Sequence, residues 1–366
     1  MGVKFYKGIE GKVAVASSSQ NSHRIYPYFK DGRFYNYLGE KQEGMIRSGF
    51  MILESLLQKT RGLRRLKQQW NSSVQSSLPI ARRISSDPLV TWVGHATFLI
   101  NISGLNILTD PIFDSPSIFF PRMTAPGLSL EQMPSIDIVL ISHNHRDHLN
   151  EPALKELYKK NAQMKLLVPL GDKQWLQHRG FANVEEYTWW DNGTIVGAGG
   201  EKVVFTFLPA IHWSGRGVFD RNKSLWGSWM IQSSGHNLYF AGDTAYGRHF
   251  KAIATEFGQI DTVLMPIGPC EPHEDLQLTH VNAEQAGQAF LELGAQQFIP
   301  MHWGVFWFGT DYPLLPVERL QAWSSKNTAL LQGKLITPLK FGESVACKRV
   351  SDRSVIHDHI VGHKHI

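Results

Sequence analysis

The sequence predicts a layered α/β fold spanning about residues 85–345, and two observations carry that expectation. Short apolar runs closed by turn residues fall at 90–100, 105–109, 136–142, 165–168, 203–208, 238–241, 262–267 and 297–301, and each suits a buried strand. Helical patterns lie between some of them, at 152–160, 173–180 and 283–293, and alternating strands and helices imply stacked layers. The last of these helices has a start signal, with Asn282 as N-cap and Gln285 three residues on to close a capping box. A final strand is expected near 335–341.

Ahead of this body, residues 1 to about 40 mix Gly, Ser, Asn and Tyr without periodicity and read as an irregular lead-in. Residues 42–70 then show a helical stripe of Met45, Ile46, Phe50, Leu53, Leu56, Leu57, Leu63 and Leu66, accompanied by Arg47, Lys59, Arg61, Arg64, Arg65 and Lys67. Two readings stand for this basic amphipathic helix: a surface helix with its stripe on the core, or a helix facing an anionic bilayer. A polar connector with Pro79 follows at 72–86. The expected plan is an N-terminal extension at 1–84, one domain at 85–345 and a His-rich tail at 346–366.

Composition narrows the chemistry. The chain has 366 residues, 42% of them hydrophobic and 19% charged, enough apolar material to exclude global disorder. It holds 16 His and only 2 Cys, so thiolate zinc frameworks and disulfide scaffolds are excluded and any metal chemistry must run on imidazole and carboxylate. The +5 charge suits anionic substrates or surfaces. No apolar run approaches the roughly 18 residues of a membrane span, and the start has no secretory h-region. A cytoplasmic protein is expected, with peripheral membrane association open. No GxGxxG, GxxxxGK[ST] or GxSxG pattern occurs, which removes the best support for dinucleotide, P-loop and serine-hydrolase readings. No nucleic-acid partner is expected, and the oligomeric state is open.

The informative stretch runs Ile-Asp-Ile-Val-Leu-Ile-Ser-His-Asn-His-Arg-Asp-His-Leu from Ile136. A buried strand delivers the chain to a polar loop with His143, His145, Asp147 and His148. His143 and His145 are alternate residues and point the same way in extended backbone, while the coming helical turn swings Asp147 and His148 toward a second point nearby. The H-x-H-x-D-H spacing thus offers two ligands to each of two adjacent metals. Later strand ends supply more donors: His212 after 203–208, Asp243 after 238–241 and His302 after 297–301.

This order of His, Asp and His after H-x-H-x-D-H resembles the metallo-β-lactamase superfamily. Within it the sequence is similar to the N-acylphosphatidylethanolamine-hydrolysing phospholipase D family and its bacterial relatives. That closer match rests on Val-Gly-His-Ala-Thr from Val93, Leu-Thr-Asp-Pro-Ile-Phe from Leu108, the metal loop from Ile141, Leu-Trp-Gly-Ser-Trp from Leu225, Phe-Ala-Gly-Asp-Thr from Phe240, Pro-Ile-Gly from Pro266 with Glu-Pro from Glu271, and His-Trp-Gly from His302. The resemblance implies a four-layer αββα sandwich with the metals at one edge. It implies that His143, His145 and His212 hold one zinc, that Asp147, His148 and His302 hold the other, and that Asp243 bridges them. Asp110 would orient a ligand His from behind. His280 would sit near the substrate phosphate and, with Asp147, counts among the catalytic residues. Thr279 and the Pro269–Cys270 pair depart from the family pattern on the substrate side.

Two metals about 3.5–4 Å apart lower the pKa of a shared water to about 7, and the resulting hydroxide attacks phosphorus or a carbonyl. His280 would donate to a phosphoryl oxygen or to the leaving alkoxide. A Cys-free His/Asp set suits zinc and also accepts iron or manganese. The leading expectation is a dizinc phosphodiesterase acting on a phospholipid such as N-acylphosphatidylethanolamine. A metal-dependent lactonase or other small-anion hydrolase is the alternative, and a metal-bound sensor without turnover the third reading. His357, His359, His363 and His365 repeat H-x-H spacing in the tail but lack an apolar run to bury them. Trp303, Phe306, Trp307 and Phe308 suit either an acyl groove or ordinary core, and Trp189 and Trp190 read as core.

Overall fold

The computed structural model describes residues 22–37, 87–118, 120–307, 310–347 and 349. The helix expected at 42–70 and the tail histidines lie outside these residues. The chain between Leu89 and Tyr187 builds one seven-stranded sheet: β3 (Leu89–Gly94), β4 (Thr97–Ile102), β5 (Leu105–Thr109), β6 (Ile138–Leu140), β7 (Lys165–Pro169) and β8 (Val184–Tyr187), with β16 (Ser344–Ala346) at the β3 edge. A second sheet is ordered β15 (Leu335–Ile336), β14 (Gln297–Met301), β13 (Thr262–Pro266), β12 (His236–Phe240), β11 (Ser228–Ser233), β10 (Lys202–Leu208), β9 (Asn192–Val196).

Alternation along the strands explains why the sheets stack. In the first sheet Trp92, Phe98, Ile100, Ile107, Leu140 and Leu167 face the core shared with Val203, Phe205, Phe207 and Trp229 of the second sheet. Their neighbours Val93, Leu99, Leu108, Val139, Leu166 and Val168 face the opposite way, onto α1 (Glu151–Lys160) and α2 (Lys173–Gln177). The second sheet is covered by α3 (His249–Phe257), α5 (Ala283–Glu292) and α6 (Leu315–Lys326), with the short α4 (His273–Leu276) before α5. The result is an αββα sandwich. Strands β3, β4, β5, β13 and β14 are buried along their whole length, which is why they read as unbroken apolar runs.

Several details differ from the sequence expectation. The run 90–100 is a hairpin, not one strand: the chain reverses at His95 and Ala96, where His95 takes φ +55°. Continuous burial hid that turn. The lead-in contains a hairpin, β1 (Tyr28–Lys30) with β2 (Arg33–Tyr35), and the following Asn36 and Tyr37 are buried against the domain. Polar half-exposed strands such as β9, and the weakly amphipathic α6, carried too little periodic signal to be placed, whereas α3, with Phe250 and Ile253 on its buried face, was missed despite an apolar stripe. The capping box at Asn282 and Gln285 is present in both directions.

The connectivity brings chemistry to one edge. In the first sheet β3, β5, β6 and β7 run the same way, since β4 is antiparallel to both β3 and β5. In the second, β10, β12, β13 and β14 share a direction. The C-terminal ends of these strands lead into His95, Asp110, His143–His148, His212, Asp243 and His302, the position where open α/β sheets place ligands. The sheets are pinned there by two bonds: Trp229 Nε1 donates to Ile141 O at 2.9 Å and Gly227 N donates to Ser142 O at 2.9 Å. A Cβ on Gly227 would lie 2.4 Å from Leu208 O and 2.5 Å from Phe207 Cζ, so Gly227→Ala must push the strand away from its neighbour. We expect that substitution to lower stability by about 1–3 kcal/mol, read as a reduced urea midpoint. An unchanged midpoint would show that the second sheet does not depend on this close approach of Gly227 to β10.

Candidate metal centre

The loop after β6 is held from below by one carboxylate. Asp110, at the end of β5 with φ +33°, is completely buried. Its Oδ1 accepts from Ser142 N at 2.8 Å, and its Oδ2 accepts from Ser142 Oγ at 2.5 Å and from His148 Nδ1 at 2.7 Å. Ser142 Oγ, having given its proton to Asp110, accepts from His143 Nδ1 at 2.9 Å. Both rings therefore keep a proton on the outward Nδ1 and turn Nε2 inward.

Two later histidines are fixed by backbone carbonyls in the same sense. His212 Nδ1 donates to Thr279 O at 2.8 Å, and His302 Nδ1 donates to Gly268 O at 2.9 Å. His143 Nε2 and His145 Nδ1 lie 2.8 Å apart, with His212 Nε2 3.3 Å from the latter. Three ring nitrogens converging this closely suit a cation between them.

On the other side, Asp147 Oδ2 lies 3.4 Å from His148 Nε2 and 3.0 Å from His95 Nε2. Asp243 lies between the two groups. Its Oδ2 is 3.2 Å from both His148 Nε2 and His302 Nε2, 3.9 Å from His212 Nε2 and 4.0 Å from His143 Nε2. Gly242 makes this approach feasible: it takes φ +58°, and a Cβ there would sit 2.5 Å from the Ser142 Cβ. His280 Nδ1 is 3.8 Å from the same Asp243 oxygen. The structure thus gathers His143, His145, His212, Asp147, His148, His302, Asp243 and His280 into one cluster.

Sequence reasoning assigned no role to His95. It belongs with Asp147, His148 and His302 in a group whose donor atoms lie within 4.8 Å of one another, and its ring packs at a tilt against His302, centroids 4.1 Å apart. The Val-Gly-His-Ala-Thr motif was the available signal, but the hairpin turn that aims this His at the cluster was not legible. His95, Asp110 and His302 are three of the eight non-glycine residues with positive φ among the described residues, a concentration of backbone strain at one site.

The electrostatics match a cation site. Burial, followed by neighbouring imidazoles, holds His143 well below the ordinary histidine range. Burial likewise pushes His145, His212 and His280 down to about 3, so at neutral pH each ring is neutral, with one N–H and one free lone pair. Burial raises the carboxyl pKa of Asp147 and Asp243, but facing imidazoles overcome it and both remain well below the usual carboxylate range. His148 differs, since burial opposes its charge but Asp243, Asp147 and Asp110 together hold its pKa well above normal. Two ionised carboxylates in a buried cluster demand positive charge at that point, which a proton or a metal cation can meet. His148 Nε2, Asp243 Oδ1 and His280 Nδ1 are buried without a hydrogen-bond partner. Inward lone pairs, ionised carboxylates and unsatisfied donor atoms make the His/Asp cluster compatible with a divalent metal site.

Comparison with known proteins agrees with this geometry. Residues 105–303 match a beta-lactamase superfamily domain. The chain is 32% identical over 267 residues to the N-acyl-phosphatidylethanolamine-hydrolyzing phospholipase D 1 of Caenorhabditis elegans, covering 68% of this chain and 74% of that protein. It is 34% identical over 238 residues to the mitochondrial N-acyl-phosphatidylethanolamine-hydrolyzing phospholipase D of Saccharomyces cerevisiae, covering 63% of this chain and half of that longer protein. Among solved structures, a metallo hydrolase from Ignicoccus hospitalis superposes with a TM-score of 0.55 at 22% identity, over 72% of this chain and 99% of that one, and shows the same fold. With its sandwich, its edge cluster and these matches, the chain belongs to the metallo-β-lactamase superfamily, as a metal-dependent hydrolase.

Proposed function

We propose that this protein is a dinuclear phosphodiesterase of phospholipase D type, hydrolysing a phospholipid such as N-acylphosphatidylethanolamine. The observation that carries the reading is the pair of donor groups on either side of one buried carboxylate, Asp243. His143, His145 and His212 would hold one metal, Asp147, His148 and His302 the other, and Asp243 both. The donor set suits zinc and also iron or manganese. When bound, such a pair acidifies water and neutralises charge on a phosphoryl oxygen. The substrate assignment is supported by the similarity to the nematode and yeast proteins.

The chain's own groups have separate tasks in this reading. Asp110 and Ser142 fix the tautomers of His148 and His143, while Thr279 O and Gly268 O fix those of His212 and His302. His280, neutral because burial lowers its pKa to about 3, donates an N–H hydrogen bond to a phosphoryl oxygen of the bound diester. The bond that breaks joins phosphorus to the ethanolamine oxygen, giving phosphatidic acid and an N-acylethanolamine. Among the described residues no helix is long and apolar enough to cross a membrane. The basic segment 42–70 is part of the proposal as a peripheral bilayer contact, as is the division into 1–84, 85–345 and 346–366.

His143→Ala should lose bound metal and activity together. Elemental analysis that still finds two metals per folded chain would remove the ligand assignment. Asp110→Asn keeps an acceptor for Ser142 but offers His148 a donor in place of a carboxylate, favouring the wrong tautomer. We expect metal affinity to fall about 10–100-fold with the fold intact by circular dichroism, and an unaltered affinity would show that Asp110 does not orient the ligand. The substrate reading is tested by offering metal-loaded protein N-acylphosphatidylethanolamine vesicles and, separately, a panel of lactones. Release of N-acylethanolamine is expected, whereas turnover of lactones alone would overturn the lipase reading.

A further inference from the structure

Among the described residues the three most exposed large hydrophobic side chains are Ile118 at 88%, Phe219 at 82% and Val218 at 78%, and they sit on just two loops. Scattered single apolar residues on a surface are ordinary, but both of these loops pack at their bases against residues of the metal cluster or their immediate neighbours. Val218 and Phe219 form the tip of the loop 213–224. Its base is locked to the metal loop: the Trp213 ring packs 4.1 Å from His145, Asn144 Oδ1 accepts from Gly215 N at 2.8 Å, and Arg216 Nη1 donates to Leu149 O at 2.6 Å. Asp220 holds the stem by accepting from the backbone N–H of Arg216 and Gly217. Ile118 projects from the loop 111–124, where Arg122 lies over Phe306 at 5.6 Å, and Phe306 packs 4.9 Å from the His95 ring.

The stems are thus tied to the backbone while the apolar tips touch solvent, an arrangement that contributes nothing to the core and places hydrocarbon at the rim of the site. The charge around the tips selects the partner. Arg221 and the exposed Lys223 stand on loop 213–224 against the single acidic Asp220, the exposed Arg146 lies beside it on the metal loop, and Arg216 is turned inward onto Asn144 O and Leu149 O. The cations beside Val218 and Phe219 complement a surface that offers hydrocarbon beneath anionic headgroups, while the Ile118 loop, whose exposed charge is Asp114, contributes hydrocarbon alone. A protein partner would need a matching acidic rim around an apolar pocket, whereas an anionic bilayer presents both everywhere.

We propose that the loop tips Ile118 and Val218–Phe219 form an interfacial docking surface that inserts into an anionic phospholipid bilayer and holds the mouth of the metal cluster against it. The inference deepens, and rests on, the reading of the substrate as a phospholipid. It places the bilayer contact at the rim of the site, independently of residues 42–70.

The test uses the full chain and vesicles of equal parts phosphatidylcholine and phosphatidylglycerol, which contain no N-acylated substrate. Binding is read by co-sedimentation for the wild type and for the triple variant Ile118→Ser, Val218→Ser, Phe219→Ser. Because all three side chains are exposed, the thermal midpoint should not move. Vesicle affinity should fall about tenfold or more, since loss of buried apolar area weakens insertion, and wild-type binding should weaken with salt. Turnover of a dispersed short-chain phosphodiester should be retained. Equal vesicle binding by wild type and variant, or no binding by the wild type, overturns the proposal. Loss of self-association in the variant without loss of vesicle binding also overturns it, by making the tips an interface between copies. Wild-type binding that depends on the tips, with no hydrolysis of N-acylphosphatidylethanolamine, would leave the docking surface standing and remove the substrate reading.

Discussion

The arrangement of this site depends on the buried carboxylate of Asp110. It accepts three hydrogen bonds at once, from the Ser142 backbone, the Ser142 hydroxyl and the His148 ring. Because the hydroxyl must donate to Asp110, it can only accept from His143, so one carboxylate sets the proton positions of two rings on opposite sides of the cluster. The same carboxylate, at the end of β5, anchors the start of the metal loop beyond β6. Burial raises the Asp110 carboxyl pKa above its ordinary value and the bonds from His148 and Ser142 oppose that shift, so with fewer partners the group would move further toward its neutral form and lose this control.

The sandwich supplies what that relay needs. Two sheets whose like-directed strands end at one edge carry donors from distant parts of the chain into a small volume, and the Trp229 and Gly227 bonds fix how closely the sheets approach there. Gly242 then lets the second sheet's Asp243 loop fit against Ser142. Backbone carbonyls of Thr279 and Gly268 treat His212 and His302 as Asp110 treats His148. Each of these rings is thereby oriented from behind, and the interior of the cluster is left with inward-facing Nε2 atoms and the negative charge of Asp147 and Asp243.

Much of this was legible in the sequence because it depends on local pattern. The buried strands β5, β6, β10, β12, β13 and β14 appear as apolar runs, and the donors sit at their ends, as His212, Asp243 and His302 do. What escaped was set by tertiary contact. His95 lies in a turn concealed within an unbroken apolar run, so its aim at Asp147 and His302 could not be read from spacing. Asn36, in a segment without periodicity, accepts from His212 N and from Trp226 Nε1, and buttresses the site from outside the expected domain. Strand β9 alternates exposed and half-exposed positions and so lacked the apolar signature of its neighbours.

The central claim is that one chain builds two cation positions on either side of Asp243. Anomalous X-ray diffraction from crystals of the zinc-loaded protein, collected at the zinc edge, tests it most directly. Two peaks per chain are expected, one among His143, His145 and His212 and one among Asp147, His148 and His302, with the Asp243 carboxylate between them. A single peak, or peaks away from these residues, would contradict it.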